Sequence, residues 1–224
     1  MMAFTGFDRA FLAFFKSLKA NNTRGWFTEH KSQYQRDVEG PALAFIEDLA
    51  PRLKKVSPRF VADPRRVGGS LFRIYRDTRF SDDKTPYKTH AGIRFWHDGK
   101  GLDSRPSFYL HLSPEGCFGG GGIYHSDPVS LRKIRTRIDT APQDWRKVRS
   151  SGFDIEGESL TRVPAGFLPE HPFAVDLKRK DHFAVEDYTP TELASAQFID
   201  RYIETCERFA PLVKFLTGAL GQRW

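Results

Sequence analysis

The sequence predicts an α+β fold, an antiparallel β-meander over about residues 69–124 packed against N-terminal and C-terminal helices. Three observations predict it. Apolar residues recur at helical spacing in the first third of the chain and again after Thr189; the period shortens to two between Gly69 and Tyr124; and no repeat or low-complexity linker divides the chain. We therefore expect a single domain spanning residues 1–224, and 20 Phe against 2 Met predict a core of stiff aromatic packing.

Phe7, Phe11, Phe14 and Leu18 share one helical face, and Asn21-Asn22 ends that pattern. Thr23 is placed to cap a second helix that buries Trp26, Phe27, His30 and Tyr34. Gly40-Pro41 predicts a break before a third helix carrying Leu43, Ile46, Leu49 and Leu53. Pro51 should kink or end that helix, because it lacks a backbone donor.

Strand alternation is cleanest where Phe108, Leu110 and Leu112 interleave with Ser107, Tyr109 and His111. Ala91, Ile93 and Phe95 alternate likewise with His90, Arg94 and Trp96, and Leu71 to Tyr75 reads as a further strand carrying Arg73. Gly99-Lys100-Gly101 and Ser113-Pro114-Glu115-Gly116 supply the turns of a meander with one apolar face and one face free for chemistry. In the last strand, Gly119-Gly120-Gly121-Gly122 gives up side-chain packing. That implies a bulge, or a surface that another backbone or a ligand approaches closely. The run lacks the Lys-Ser/Thr ending of a P-loop.

Asp127-Pro128 predicts the N-cap and first position of a helix through Leu131, Ile134 and Ile138, and Thr140 with Gln143 a capping box for a short helix carrying Trp145 and Val148. Residues 151–187 read mainly as loop, with a short helix after Pro172 and an edge strand at His182 to Val185. Thr189-Pro190-Thr191-Glu192 is a second capping box. Its helix should run through Leu193, Ile199, Tyr202, Cys206 and Phe209 until Pro211, with a final turn beyond.

Several function classes find no support. The longest apolar runs, Phe11 to Phe15 and Ala42 to Ile46, fall far short of the roughly 20 residues that span a bilayer. The N-terminus lacks a basic start followed by an apolar stretch, and Cys117 and Cys206 are too few for a disulfide framework. We expect a cytoplasmic protein with no membrane partner. Its histidines show no H-x-x-x-H spacing and no Cys-x-x-Cys occurs, so no metal site is expected, and no G-x-S-x-G elbow supports a Ser nucleophile. No cofactor and no oligomeric state can be assigned.

Charge is concentrated. Between Arg65 and Arg94 stand eight cations (Arg65, Arg66, Arg73, Arg76, Arg79, Lys84, Lys88, Arg94) and three anions (Asp77, Asp82, Asp83), a local excess of five in a chain of net charge +7. Within it, Arg73-x-x-Arg76-Asp77-x-Arg79-Phe80-x-x-x-Lys84-x-x-Tyr87 resembles the signature of the bacterial and fungal DUF2461 family of unknown function. The Asn-Asn-x-Arg-x-Trp-Phe start (Asn21 to Phe27), the Tyr-Leu-His-Leu strand (Tyr109 to Leu112) and Gly-Gly-Gly-x-Tyr-His (Gly120 to His125) are similar too, so the resemblance covers nearly the whole chain. It implies that the charged stretch matters as a unit; it brings no activity with it.

Arginine forks suit carboxylate and phosphate, so Arg73, Arg76, Arg79, Lys84, Tyr87, Lys88 and Arg94 are the candidate ligand-binding residues. His111, Tyr109 and Asp77 are the candidates for moving a proton, His111 because imidazole titrates near neutrality. The leading expectation is a basic pocket for an anionic small molecule, with Arg73, Arg76, Tyr109 and His111 around one cavity. Two alternatives stand beside it: a nucleic-acid or nucleotide binding module using the same cations, and a salt-bridge network that locks the loop without any ligand.

Overall fold

The computed structural model describes residues 3–99 and 105–224. Lys100 and Gly101 of the expected Gly99-Lys100-Gly101 turn lie outside the described residues. Helix α1 (Arg9–Ala20) starts where the Asp8 carboxylate accepts from the Ala10 and Phe11 amides, and it buries Phe11, Phe14, Phe15 and Leu18. Thr23 caps α2 (Arg24–Glu29) through the Trp26 amide. Then α3 (Lys31–Tyr34) passes through a π-helical turn, Gln35–Glu39, straight into α4 (Gly40–Val56). Gly40-Pro41 therefore does not separate two helices. The Gly40 amide donates to Gln35 O, one residue further back than in an α-helix, and Pro41 falls in the first turn of α4, where its missing donor is tolerated.

Five strands form one antiparallel sheet in sequence order: β1 (Phe60–Val61), β2 (Ala91–His97), β3 (Ser107–Ser113), β4 (Gly116–Ile123) and β5 (His182–Asp187). The expected meander is present. The expected strand over Leu71 to Tyr75 is not: Leu71 makes a single bridge to Ile93 and Tyr75 one to Tyr87. The short β1 takes one end of β2's outer edge, at His97 and Trp96, and residues 70–72 take the other, where Phe72 N donates to Gly92 O and Arg94 N to Ser70 O, both at 2.9 Å.

Register divides the sheet into two faces. Ala91, Ile93 and Phe95 pair with Leu112, Leu110 and Phe108, and all six are buried on the helical side. On the opposite face Arg94, Tyr109, Gly120 and Val185 line up across β2 to β5, and Trp96, Ser107, Gly122 and Phe183 form the next row.

The remaining helices cover the buried face and its end. Asp127 caps α5 (Pro128–Thr140), but α6 (Pro142–Arg149) has no capping box. Thr140 still belongs to α5 and donates its hydroxyl back to Thr136 O, leaving Ala141 at the cap. After α7 (Ala174–Lys178), the Thr189–Glu192 box starts α8 (Pro190–Leu193), which stops short of its expected length. The Phe7 amide takes the Leu193 carbonyl at 2.7 Å, and a new helix, α9 (Phe198–Ala219), follows. Neither Pro51 in α4 nor Pro211 in α9 ends its helix. Both are exposed, on the side where water can take the carbonyl each leaves unpaired.

Helix α9 lies against β4 without an intervening side chain at Gly121, where a Cβ would stand 2.9 Å from Phe209 Cβ. Phe45 of α4 and Tyr202 of α9 meet edge to face with centroids 5.6 Å apart, and Phe7, Phe11 and Phe198 continue this aromatic core. Among the described residues no helix is long and apolar enough to cross a membrane.

Candidate functional site

The charged stretch folds back on itself. Arg76 N donates to Pro86 O and Lys88 N to Ile74 O, at 2.9 and 2.8 Å, pinching the chain into a loop over residues 77–85. Arg76 laces that loop from within, its guanidinium meeting the Asp83 carboxylate and the hydroxyls of Thr85 and Ser81. Arg79 pairs with Asp77 at 2.7 Å. Lys84 Nζ donates to Thr78 O and Lys88 Nζ to Arg73 O, both at 2.9 Å, and the Lys88 ammonium also sits 5.5 Å from the Phe72 ring centre. Tyr87 is buried and stacked on Phe27 with centroids 4.2 Å apart.

The concave site lies on the open face of the sheet. A cleft of about 850 Å³ opens over β2 to β5, within the size range of small-molecule sites. Its walls are largely aromatic, from Phe72, Tyr109, Phe118, Tyr124 and Phe183, and its polar groups include His90, Arg94, His111 and Glu156. Strand alternation places Tyr109 and His111 there, since Phe108, Leu110 and Leu112 take the core.

Contacts among these groups fix their geometry. Tyr109 Oη lies 3.3 Å from His111 Nδ1, over Gly92, where a Cβ would come within 2.6 Å of that hydroxyl. The His111 ring stacks on Phe118 at 4.8 Å and faces His90 at 4.5 Å. Arg94 Nη2 donates to Arg105 O at 3.0 Å, while its buried Nε has no partner among the described residues.

Burial sets the protonation states. It holds His111 below its ordinary value and brings His90 down to about 4, with the nearby His111 and Lys88 adding to the effect of burial at His90. Both imidazoles are neutral at pH 7. Burial pushes the Tyr109 phenol up to about 12, so it keeps its proton. Burial, then the charge of Arg105, lowers Arg94, but a guanidinium remains cationic at neutral pH.

Of the residues singled out from sequence, the cleft gathers Tyr109, His111 and Arg94, with His90 beside them. Arg73, Arg76, Arg79, Lys84, Tyr87, Lys88 and Asp77 are not among its lining residues, so the expected cavity shared by Arg73, Arg76, Tyr109 and His111 does not form. The loop's polar groups turn to one another because their partners lie two to fifteen residues away along the chain. Sequence reasoning missed Phe118, Phe183 and Val185, although the alternation of β4 and β5 carried that signal. Glu156, from an irregular segment, offered none.

A family model described as "Conserved hypothetical protein (DUF2461)" matches residues 10–215. The chain belongs to this family. No curated protein matches it.

Proposed function

We propose that the cleft binds a small molecule carrying a carboxylate or phosphate group, with Arg94 as the anion contact. One observation carries this reading: Arg94 is a half-buried guanidinium in a mainly aromatic cleft, with no ion-pair partner among the described residues. A cation withdrawn from water without a counter-charge is costly, and an external anion would complete it. The cations of the 73–88 loop are mostly engaged within it, which favours a compact site over an extended polyanion track. Two buried free thiols, Cys117 and Cys206, support a reducing, cytoplasmic setting.

Thermal-shift titration tests the binding reading, because a ligand that binds only the folded state raises its apparent stability. The probes are inorganic phosphate, acetate, sugar phosphates, nucleotides and dicarboxylates. At least one should raise the melting temperature in a dose-dependent way, and Arg94→Met should abolish the rise while Arg79→Ala keeps it. No rise with any probe, or an undiminished rise in Arg94→Met, ends this reading.

Proton transfer on the bound molecule is a second reading, favoured by a neutral His111 beside the Tyr109 hydroxyl in the same cleft. NMR titration of the imidazole carbons tests it. A His111 that is doubly protonated at pH 7 could not act as a base, and the reading would fall.

A further inference from the structure

The open face contains a trough one strand wide. Tyr109 on β3 and Val185 on β5 flank Gly120, and Ser107 and Phe183 flank Gly122. Two strand spacings, about 10 Å, separate the flanking backbones. The floor between them is bounded by aromatic side chains, Tyr109, Phe118 and Phe183, on which a planar ring stacks and a branched or puckered body does not. Phe118, with His111 stacked on it, stands in the next row along β4 and closes one end.

Packing alone asks less of glycine at 120 than at its neighbour. A Cβ on Gly120 would stand 3.2 Å from Ala184 O and 3.5 Å from Val185 Cγ1, whereas on Gly121 it would meet Phe209 Cβ at 2.9 Å. Gly121 serves the helix behind the sheet. Gly120 keeps the floor of the trough bare.

Charge sorts the anion. Arg94 begins the row that runs through Tyr109 and Gly120, and Glu156 also lines the cleft. One guanidinium matches the two oxygens of a planar carboxylate. A phosphate dianion would keep a second charge for which the lining residues offer no further Arg or Lys, only neutral imidazoles and the Glu156 carboxylate.

Resting on the anion-site reading above, we propose that the ligand class is an aromatic monocarboxylate, its ring standing in the Gly120 trough and its carboxylate on Arg94.

NMR titration of the full chain with benzoate, cyclohexanecarboxylate, acetate and inorganic phosphate tests this. Benzoate should shift the Gly120 and Gly122 amide resonances and bind about tenfold tighter than the other three, a difference of about 1.4 kcal/mol. Arg94→Met and Gly120→Val should each weaken benzoate by about tenfold, the second by filling the trough. If Gly120→Val does not fold, the comparison of flat and puckered acids on the native chain still decides. Should cyclohexanecarboxylate, acetate or phosphate match benzoate, the aromatic class is wrong while an anion site at Arg94 stands. Should none of the four shift a cleft resonance, the aromatic monocarboxylate is wrong, and the anion site at Arg94 is decided by the thermal-shift series above.

Discussion

The side chain of Asn22 pairs with the backbone of Tyr87 as a neighbouring strand would: Nδ2 donates to Tyr87 O at 2.9 Å, and Oδ1 accepts from Tyr87 N at 3.1 Å. This pair of hydrogen bonds ties the charged loop to the turn between α1 and α2, and Tyr87 stacking on Phe27 completes the tie. Two motifs far apart in sequence thus form one joint.

Asn22→Ala should therefore loosen the loop. It leaves a part-buried amide and carbonyl without their partner, a loss of about 2 kcal/mol at about 1 kcal/mol per bond. For a chain of this size that lowers the melting temperature by about 4–8 °C. The anion response assigned to Arg94 should survive. A melt unchanged from the native chain would show that the joint contributes nothing.

Two neighbouring glycines should answer differently to the same change. Gly121→Ala drives a Cβ to 2.9 Å from Phe209 Cβ and 3.1 Å from Val213 Cγ2, so α9 must move off the sheet, at an expected cost of about 1–3 kcal/mol. Gly120→Ala points into the cleft and meets only Ala184 O closely, at 3.2 Å, so it should cost less. Urea denaturation of the two variants side by side makes the comparison. Equal losses would contradict the assignment of the two faces.

The strands were legible because a half-buried strand prints its two faces as alternation, and Phe108, Leu110 and Leu112 did so. The prolines misled because a breaker's effect depends on exposure: Pro51 and Pro211 sit where water replaces the lost bond. For the site, position along a strand was enough to find Arg94, Tyr109 and His111 on one face. It was not enough for Arg73, Arg76 and Arg79, whose three-residue spacing says nothing of where the chain turns. The pinch between Ile74 and Lys88 closes that segment into a loop of its own, and only the resulting pairs distinguish a loop network from a ligand clamp.

Arg76 and Arg94 should separate by experiment. Arg76 gathers Asp83, Thr85 and Ser81 within the loop, so Arg76→Ala should expose residues 77–85 to limited proteolysis. The Arg76–Asp83 pair is partly solvent-exposed, so global stability should change little. Arg94→Met should show the reverse, unaltered loop cleavage with loss of the anion response. Loss of that response in Arg76→Ala, with the loop still resistant to protease, would put Arg76 back among the ligand contacts.

His182 should make the fold sensitive to acid. It is fully buried at the start of β5, its ring edge to face with Trp145 at 6.0 Å. Burial, then the charge of Arg179, brings its pKa down to about 3; the Asp176 carbonyl partly opposes this and Arg135 adds to it. The folded chain therefore holds His182 neutral, while the unfolded chain binds a proton below the ordinary value of 6.5. A base with a depressed folded pKa leaves the unfolded state with more bound protons in that interval, so stability falls as pH falls. The contribution is complete above pH 6.5 and is lost toward pH 3, at a limiting slope of about 1.4 kcal/mol per pH unit. His90 and His111 act in the same direction, so the native chain alone does not isolate His182. Urea unfolding of native and His182→Gln chains at pH 5, 6, 7 and 8 removes their contribution by difference. The native chain should lose about 1 kcal/mol more than the variant between pH 6 and 5, and the two should run parallel above pH 7. Parallel curves over the whole range would mean that His182 titrates alike in the folded and unfolded chains.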